Sequence, residues 1–146
     1  MSSYILDIPG YEQQSIWGYD EQTDCLFAQL WENASTQDAP AHWINEHETA
    51  VSFLTRIATA TREEYSPLSV LLMLATDEVD GRAQLLLSTV IAQSAQPDFL
   101  AQAAQSSSEW VRYEATENPY YVAADRTDEP RRRGFFSWIR ARSARS

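Results

Sequence analysis

Apolar positions recur with two different periods along the chain. Residues 4–8, Tyr-Ile-Leu-Asp-Ile, are aromatic and β-branched and stop at Pro9-Gly10, which predicts a short strand or extended lead-in. Residues 15–31 fit two elements. As a hairpin, the runs 15–20 and 25–31 flank a polar turn at Glu21-Gln22-Thr23-Asp24, with Leu26, Ala28 and Leu30 on one face and Phe27, Gln29 and Trp31 on the other. As a helix, Leu26, Phe27, Leu30, Trp31 and Ala34 form one stripe with Asp24 near its start. Periodicity alone does not separate the two over 25–34. The aromatic and β-branched content and the polar turn favour the hairpin. Residues 33–40 read as a loop, and 41–44 (Ala-His-Trp-Ile) as a third short strand.

Beyond residue 44 the period becomes helical. Asn45 with Glu48 three residues later resembles a capping box, and Ala50, Val51, Leu54, Ile57 and Ala58 share a face. Ser66 is a good N-cap and Pro67 a good first helical residue. Residues 68–74 are apolar nearly all round, as in a buried helix. After a turn at 77–81, Ala83, Leu86, Leu87, Val90 and Ile91 make the next stripe. Pro97 opens a short helix with Phe99, Leu100, Ala103 and Ala104 inward. Ser106-Ser107-Ser108 break the chain before Glu109, which suits a first turn, and Trp110, Val111 and Ala115 follow as apolar positions. Asn118-Pro119 ends that helix, Asn tolerating a left-handed cap, and 120–124 reads as one more turn.

These elements predict an α+β chain, mainly α. A small aromatic-rich β-plus-helix module spans 1–65 and packs on a helical segment at 66–124. A linker and a flexible, basic, arginine-rich tail occupy 125–146. Within the helical segment, Pro97…Leu100…Ala104…Trp110-Val111-Arg112…Ala115…Asn118-Pro119 resembles a single unit of the variant leucine-rich, HEAT-like helical repeats, whose second helix carries V-R-x-x-A-x-x-N-P. The resemblance implies a packed helix pair, with Val111 inward and Arg112 fanned over a helix end or paired with an acid. It also implies a surface for protein contact. Tyr120-Tyr121-Val122 replaces the usual polar-plus-proline continuation, and one unit makes no solenoid, since about three are needed. The N-terminal Trp17-Gly18-Tyr19-Asp20…Phe27-Ala28-Gln29-Leu30-Trp31…Trp43-Ile44 resembles a pattern of small bacterial proteins to which no function is attached.

Composition narrows the function classes. The 146 residues suffice for one domain or two very small ones. The four glycines form neither G-x-G-x-x-G nor G-x-x-x-x-G-K-[ST], so both common glycine-built phosphate cradles are absent. A single cysteine, Cys25, excludes an internal disulfide and a multi-cysteine zinc site. The net charge of −10 is an average over two unlike parts. All 21 acids precede residue 130, against five arginines there, leaving −16; residues 131–146 carry six arginines and no acid. There is no lysine. An acidic body repels phosphates, so it predicts no direct nucleic-acid binding and favours a partner protein, a basic one included. No basic, apolar leader opens the sequence, and no apolar run approaches the roughly 20 residues of a membrane span; a cytoplasmic protein is expected.

Candidate chemistry is thin. His42, Glu46 and His47 follow H-x-x-x-E-H, which matches neither H-x-x-E-H nor H-E-x-x-H. Cys25 lacks an evident activating base beside it. Asp77-x-x-Asp80-Gly81 has no calcium-ligand ladder. No catalytic residue, metal site or cofactor is assigned. The stronger signal is aromatic, because tryptophan and tyrosine are enriched at binding hot spots. Trp17, Tyr19, Phe27, Trp31 and Trp43 crowd the N-terminal module, either as the core of its small sheet, the favoured reading, or as a contact surface; Trp17, Tyr19, Trp31 and Trp43, with Trp110 and Arg112 in the helical segment, are the partner-binding candidates. In the tail, Arg131, Arg132, Arg133, Phe135, Phe136, Trp138 and Arg140 suit a membrane surface, a nucleic acid, or docking on an acidic surface of the chain itself or a partner. The favoured reading is a non-enzymatic, intracellular bacterial interaction or adaptor protein. The alternatives are an acidic immunity or inhibitor protein that blocks a basic partner such as a nuclease, a small metal- or thiol-dependent hydrolase, and a tail-driven peripheral membrane adaptor.

Overall fold

The computed structural model describes residues 2–46, 49–62 and 64–123. Among them the chain forms four strands and then five helices. The strands are β1 (Ser2–Ile5), β2 (Ile16–Asp20), β3 (Cys25–Leu30) and β4 (His42–Glu46). The helices are α1 (Ala50–Ala60), α2 (Pro67–Leu74), α3 (Gly81–Gln93), α4 (Pro97–Ala103) and α5 (Glu109–Glu117). The fold is α+β, as expected. The strands make an antiparallel meander in the order β1-β2-β3-β4.

Residues 16–30 are a hairpin. Asp24 takes the left-handed conformation (φ 54°) that turns the chain, and the Asp20 carboxylate accepts from the Gln22 amide at 3.0 Å. In the paired strands Trp17 sits opposite Ala28, and Ala28 opposite Ile44. Tyr4 pairs with Trp17 on the other side. Gly18 is required where β1 crosses β2, because a Cβ there would lie 1.8 Å from the Ser2 carbonyl oxygen.

One hydrophobic cluster runs from Leu6 through Trp17, Leu30, Phe53, Leu71 and Leu87 to Ala115. The β module and the helical segment therefore share a core. Trp17 is wholly buried at its centre, with the Tyr4 and Phe53 rings 5.0 and 6.3 Å away.

Three local expectations need correction. Asn45 belongs to β4, where it pairs with Phe27, so it caps nothing. Thr49 caps α1 instead, its Oγ1 accepting from the Ser52 amide at 2.9 Å. The buried face of α1 is Ala50, Phe53, Leu54, Ile57 and Ala58, a clean three-four spacing that leaves Val51 one step off and 54% exposed. Asn118 ends α5 with φ −73° and ψ 132°, extended rather than left-handed; a single turn follows, the Tyr121 amide donating to the Asn118 carbonyl at 3.0 Å, and residues 121–123 are not helical.

Hydrogen bonds distant in sequence lock the helices. The buried Asn118 Nδ2 donates toward the carbonyls of Ile91, Ala92 and Ser94, which close α3, while its Oδ1 accepts from the Tyr120 amide at 2.7 Å. Asp77 Oδ1 accepts from Ser108 Oγ at 3.0 Å and from the Glu109 amide at 2.8 Å, so the cap of α5 comes from the α2–α3 turn. Trp110 Nε1 donates to the Thr76 carbonyl at 2.8 Å beside it. Tyr4 OH donates to Asp80 Oδ1 at 2.9 Å and ties β1 to the start of α3. Among the described residues no helix is long and apolar enough to cross a membrane.

Candidate protein-binding face

Successive side chains on a strand point to opposite sides of a sheet. Tyr4, Trp17, Tyr19, Leu26, Ala28, Leu30 and Ile44 belong to or pack on the core under the helices. The alternate positions therefore face away from the helices: Ile5 on β1, Ile16 and Gly18 on β2, Cys25, Phe27 and Gln29 on β3, Trp43 on β4. Trp31, just past β3, continues that side. The register aligns Ile5, Ile16, Gln29 and Trp43 in one row across all four strands. An antiparallel sheet covered on one side normally carries polar residues on the other. Here Ile5, Ile16, Phe27 and Trp43 share it with Ser3, Asp20, Gln29 and Asn45. Ile5 is 72% and Trp43 57% exposed, Ile16 and Trp31 are half-buried, and Phe27 is 5% exposed.

The segment that builds the sheet is one-sided in charge, with Arg62 approaching Glu32 and Arg56 Nη1 donating to the Asn45 carbonyl from outside it. Residues 2–46 hold eight carboxylates and no arginine or lysine. Asp20 and Glu21 flank the β2–β3 turn, and Glu32 follows Trp31. Asp24, at the same turn, is engaged by the Tyr19 hydroxyl, which donates to Oδ1. That bond holds Tyr19 ionisation above the usual tyrosine range; burial and the Asp24 charge add to the shift, and Arg82 opposes it.

The sequence-derived candidates divide between the faces. Trp17 and Tyr19 lie in the core, so neither offers a contact surface; alternation places them under the helices. Trp31 and Trp43 lie on the outward face. Trp110 is half-buried and anchored by its indole N–H, and the exposed Arg112 donates from Nη1 to the Ser106 carbonyl at 2.8 Å, over the end of α4. Both serve helix packing. Arg131, Arg132, Arg133, Phe135, Phe136, Trp138 and Arg140 lie outside the described residues, as does His47. Ile5 and Ile16 were missed as candidates. Their signal was the apolar residue at every second position on both sides of the strands.

Other groupings offer less. Cys25 opens β3 and is buried, whereas His42 pairs with Leu30 at its far end. Five strand residues separate them, about 17 Å, so thiol and imidazole do not meet. Asp77 and Asp80 are engaged as helix-locking acceptors. Among the described residues no group of three His, Cys, Asp or Glu side chains is placed to hold a metal ion. A cleft of about 480 Å³ lies against Gly10, Tyr11, Glu32, Asn33, Thr61 and Arg62. Its rim is braced by Glu12, whose Oε1 accepts from Asn33 Nδ2 at 2.6 Å and the Gly10 amide at 2.9 Å. Those bonds, the Asn33 one first, hold the Glu12 carboxyl below the usual range. Glu32 and Arg62 approach to 3.8 Å across the cleft while both stay largely exposed. The Thr61 hydroxyl at this cleft is turned to its own helix, where it donates to the Ile57 carbonyl at 3.0 Å. Comparisons with protein-family models, with curated proteins and with solved structures find no match.

Proposed function

We propose that this chain is a non-enzymatic, cytoplasmic bacterial interaction protein that grips another protein through the outward face of its sheet. One observation carries the reading: among the positions turned away from the helices, Ile5 and Trp43 at the two edges are large apolar side chains that stand open to solvent, with half-buried Ile16 between them. Exposed large apolar side chains grouped on one face of a small protein mark a contact site more often than chance. The row from Ile5 to Trp43 spans three inter-strand spacings, about 14 Å, wide enough for one extended or helical segment. Truncating a buried interface tryptophan typically costs 2 kcal/mol or more, about 30-fold in affinity.

The test compares the immobilised full chain with its Ile5→Ser/Trp43→Ser variant in quantitative capture from a bacterial extract. The reading expects at least one protein captured stoichiometrically by the wild type and depleted tenfold or more by the variant. An unchanged set of captured proteins overturns it.

A second reading is favoured by the eight carboxylates of residues 2–46: an acidic inhibitor that covers a basic partner. It expects association that slows at least tenfold between 50 mM and 500 mM salt, because steering between opposite charges is screened. A salt-independent rate would leave the apolar face as the whole of the contact.

A further inference from the structure

We propose that the outward sheet face is occupied, in the unpartnered protein, by the chain's own residues 131–140, Arg-Arg-Arg-Gly-Phe-Phe-Ser-Trp-Ile-Arg. The inference rests on reading that face as a docking surface and names its resident occupant. Three observations converge on it.

The first is chemical match. The face exposes Ile5 and Trp43, within a segment, residues 2–46, of eight carboxylates and no arginine or lysine. Residues 131–140 offer Phe135, Phe136, Trp138 and Ile139 among four arginines and no acid. Arginine beside aromatic residues also stacks on tryptophan faces, which Trp43 presents.

The second is reach. Asn118 fixes the end of α5 at the C-terminal end of α3, and Tyr4 fixes the start of α3 to β1. The thirteen residues of α3 measure about 20 Å. Crossing to the other side of the sheet adds about 10 Å. The twelve residues from 124 to Phe135 extend to about 40 Å, so the aromatic segment reaches the row Ile5–Trp43 from Ala123.

The third is tethering. Two segments of one chain meet at an effective concentration on the order of 1 mM, so a segment that binds in trans at only ~0.1 mM is about 90% docked in cis. A partner that binds the same face must then displace this segment.

Two measurements on the full-length chain decide the matter. Replacing Trp43 with the photoreactive residue p-benzoylphenylalanine and irradiating should give cross-links within the monomer to residues 131–140. Their yield should not change over a hundredfold range of protein concentration. Cross-links to any other segment, only between two copies, or none at all overturn the proposal. In parallel, a synthetic peptide of residues 131–146 should bind the full-length Phe135→Ser/Phe136→Ser/Trp138→Ser variant about tenfold more tightly than it binds the wild type, whose face is filled. Adding Trp43→Ser to that variant should abolish the binding. Equal affinity for variant and wild type, no binding, or binding indifferent to Trp43 overturns it. Partner capture that depends on Trp43 without these cross-links leaves the docking face standing and removes only its resident occupant.

Discussion

Asn118 shows how much one side chain holds. It is buried, its amide feeds carbonyls of Ile91, Ala92 and Ser94, and its own carbonyl oxygen takes the Tyr120 amide. Removing a buried partner leaves desolvated acceptors at a cost of about 1–3 kcal/mol. Asn118→Ala is expected to lose about 2–3 kcal/mol in urea unfolding, with the loss concentrated where α3 and α5 meet. Tyr19 gives a pH signature. Its folded pKa lies above the unfolded value near 10 because Asp24 accepts from the hydroxyl. The stabilisation is therefore complete below about pH 10 and fades as the pH climbs through the folded value. Absorbance titration near 295 nm should show one late-ionising tyrosine, and Asp24→Asn should bring it back among the others. Neither role follows from the sequence alone, because the partners of Asn118 lie 24–27 residues upstream and no local pattern announces them. The short Tyr19–Asp24 separation was in reach but reads equally as an ordinary turn.

At the scale of elements, the helices were legible where apolar spacing and caps agreed. Ser66-Pro67 opens α2 as the sequence predicts, its Oγ accepting from the Ser69 amide at 3.1 Å. The ambiguous stretch was 25–30, and its ambiguity has a physical cause. Leu26, Ala28 and Leu30 point at the helices while Phe27 points away and is apolar too, so the alternation that identifies a one-sided strand is erased. The strand that was hardest to read is the one whose second face carries the proposed contact. The sheet also sets a strict steric condition at Gly18. Gly18→Ala places a methyl on the Ser2 carbonyl, so β1 must peel away. We expect a loss of about 2–3 kcal/mol, in the range of overpacked sites, with amide exchange accelerated at Ser2–Ile5 and little changed in α3.

At the scale of the whole molecule, the sequence suggested a β module and a helical segment side by side, and the coordinates show one apolar cluster running through both. Trp17 meets Phe53 of α1, and Leu71, Leu87 and Leu100 continue the same core. A shared core predicts a single cooperative transition. Tryptophan fluorescence, weighted to the sheet, and far-ultraviolet dichroism, weighted to the helices, should give coincident denaturation midpoints; midpoints that separate would mean two units. The single core was not legible because it depends on which faces meet, and spacing reports faces without naming their partners. The charge asymmetry was fully legible, because it is a count along the sequence and needs no fold to be read.

The bond from Tyr4 to Asp80 joins residues 76 positions apart. At synthesis rates of about 5–20 residues per second, the first strand leaves the ribosome roughly 4–15 s before the helix start that anchors it. Throughout that interval the nascent meander has neither its helical lid nor its final edge restraint. Newly made chains of this protein thus pass through a window in which both sides of the sheet are adhesive, and a chaperone that shields the emerging strands would raise the yield of native molecules.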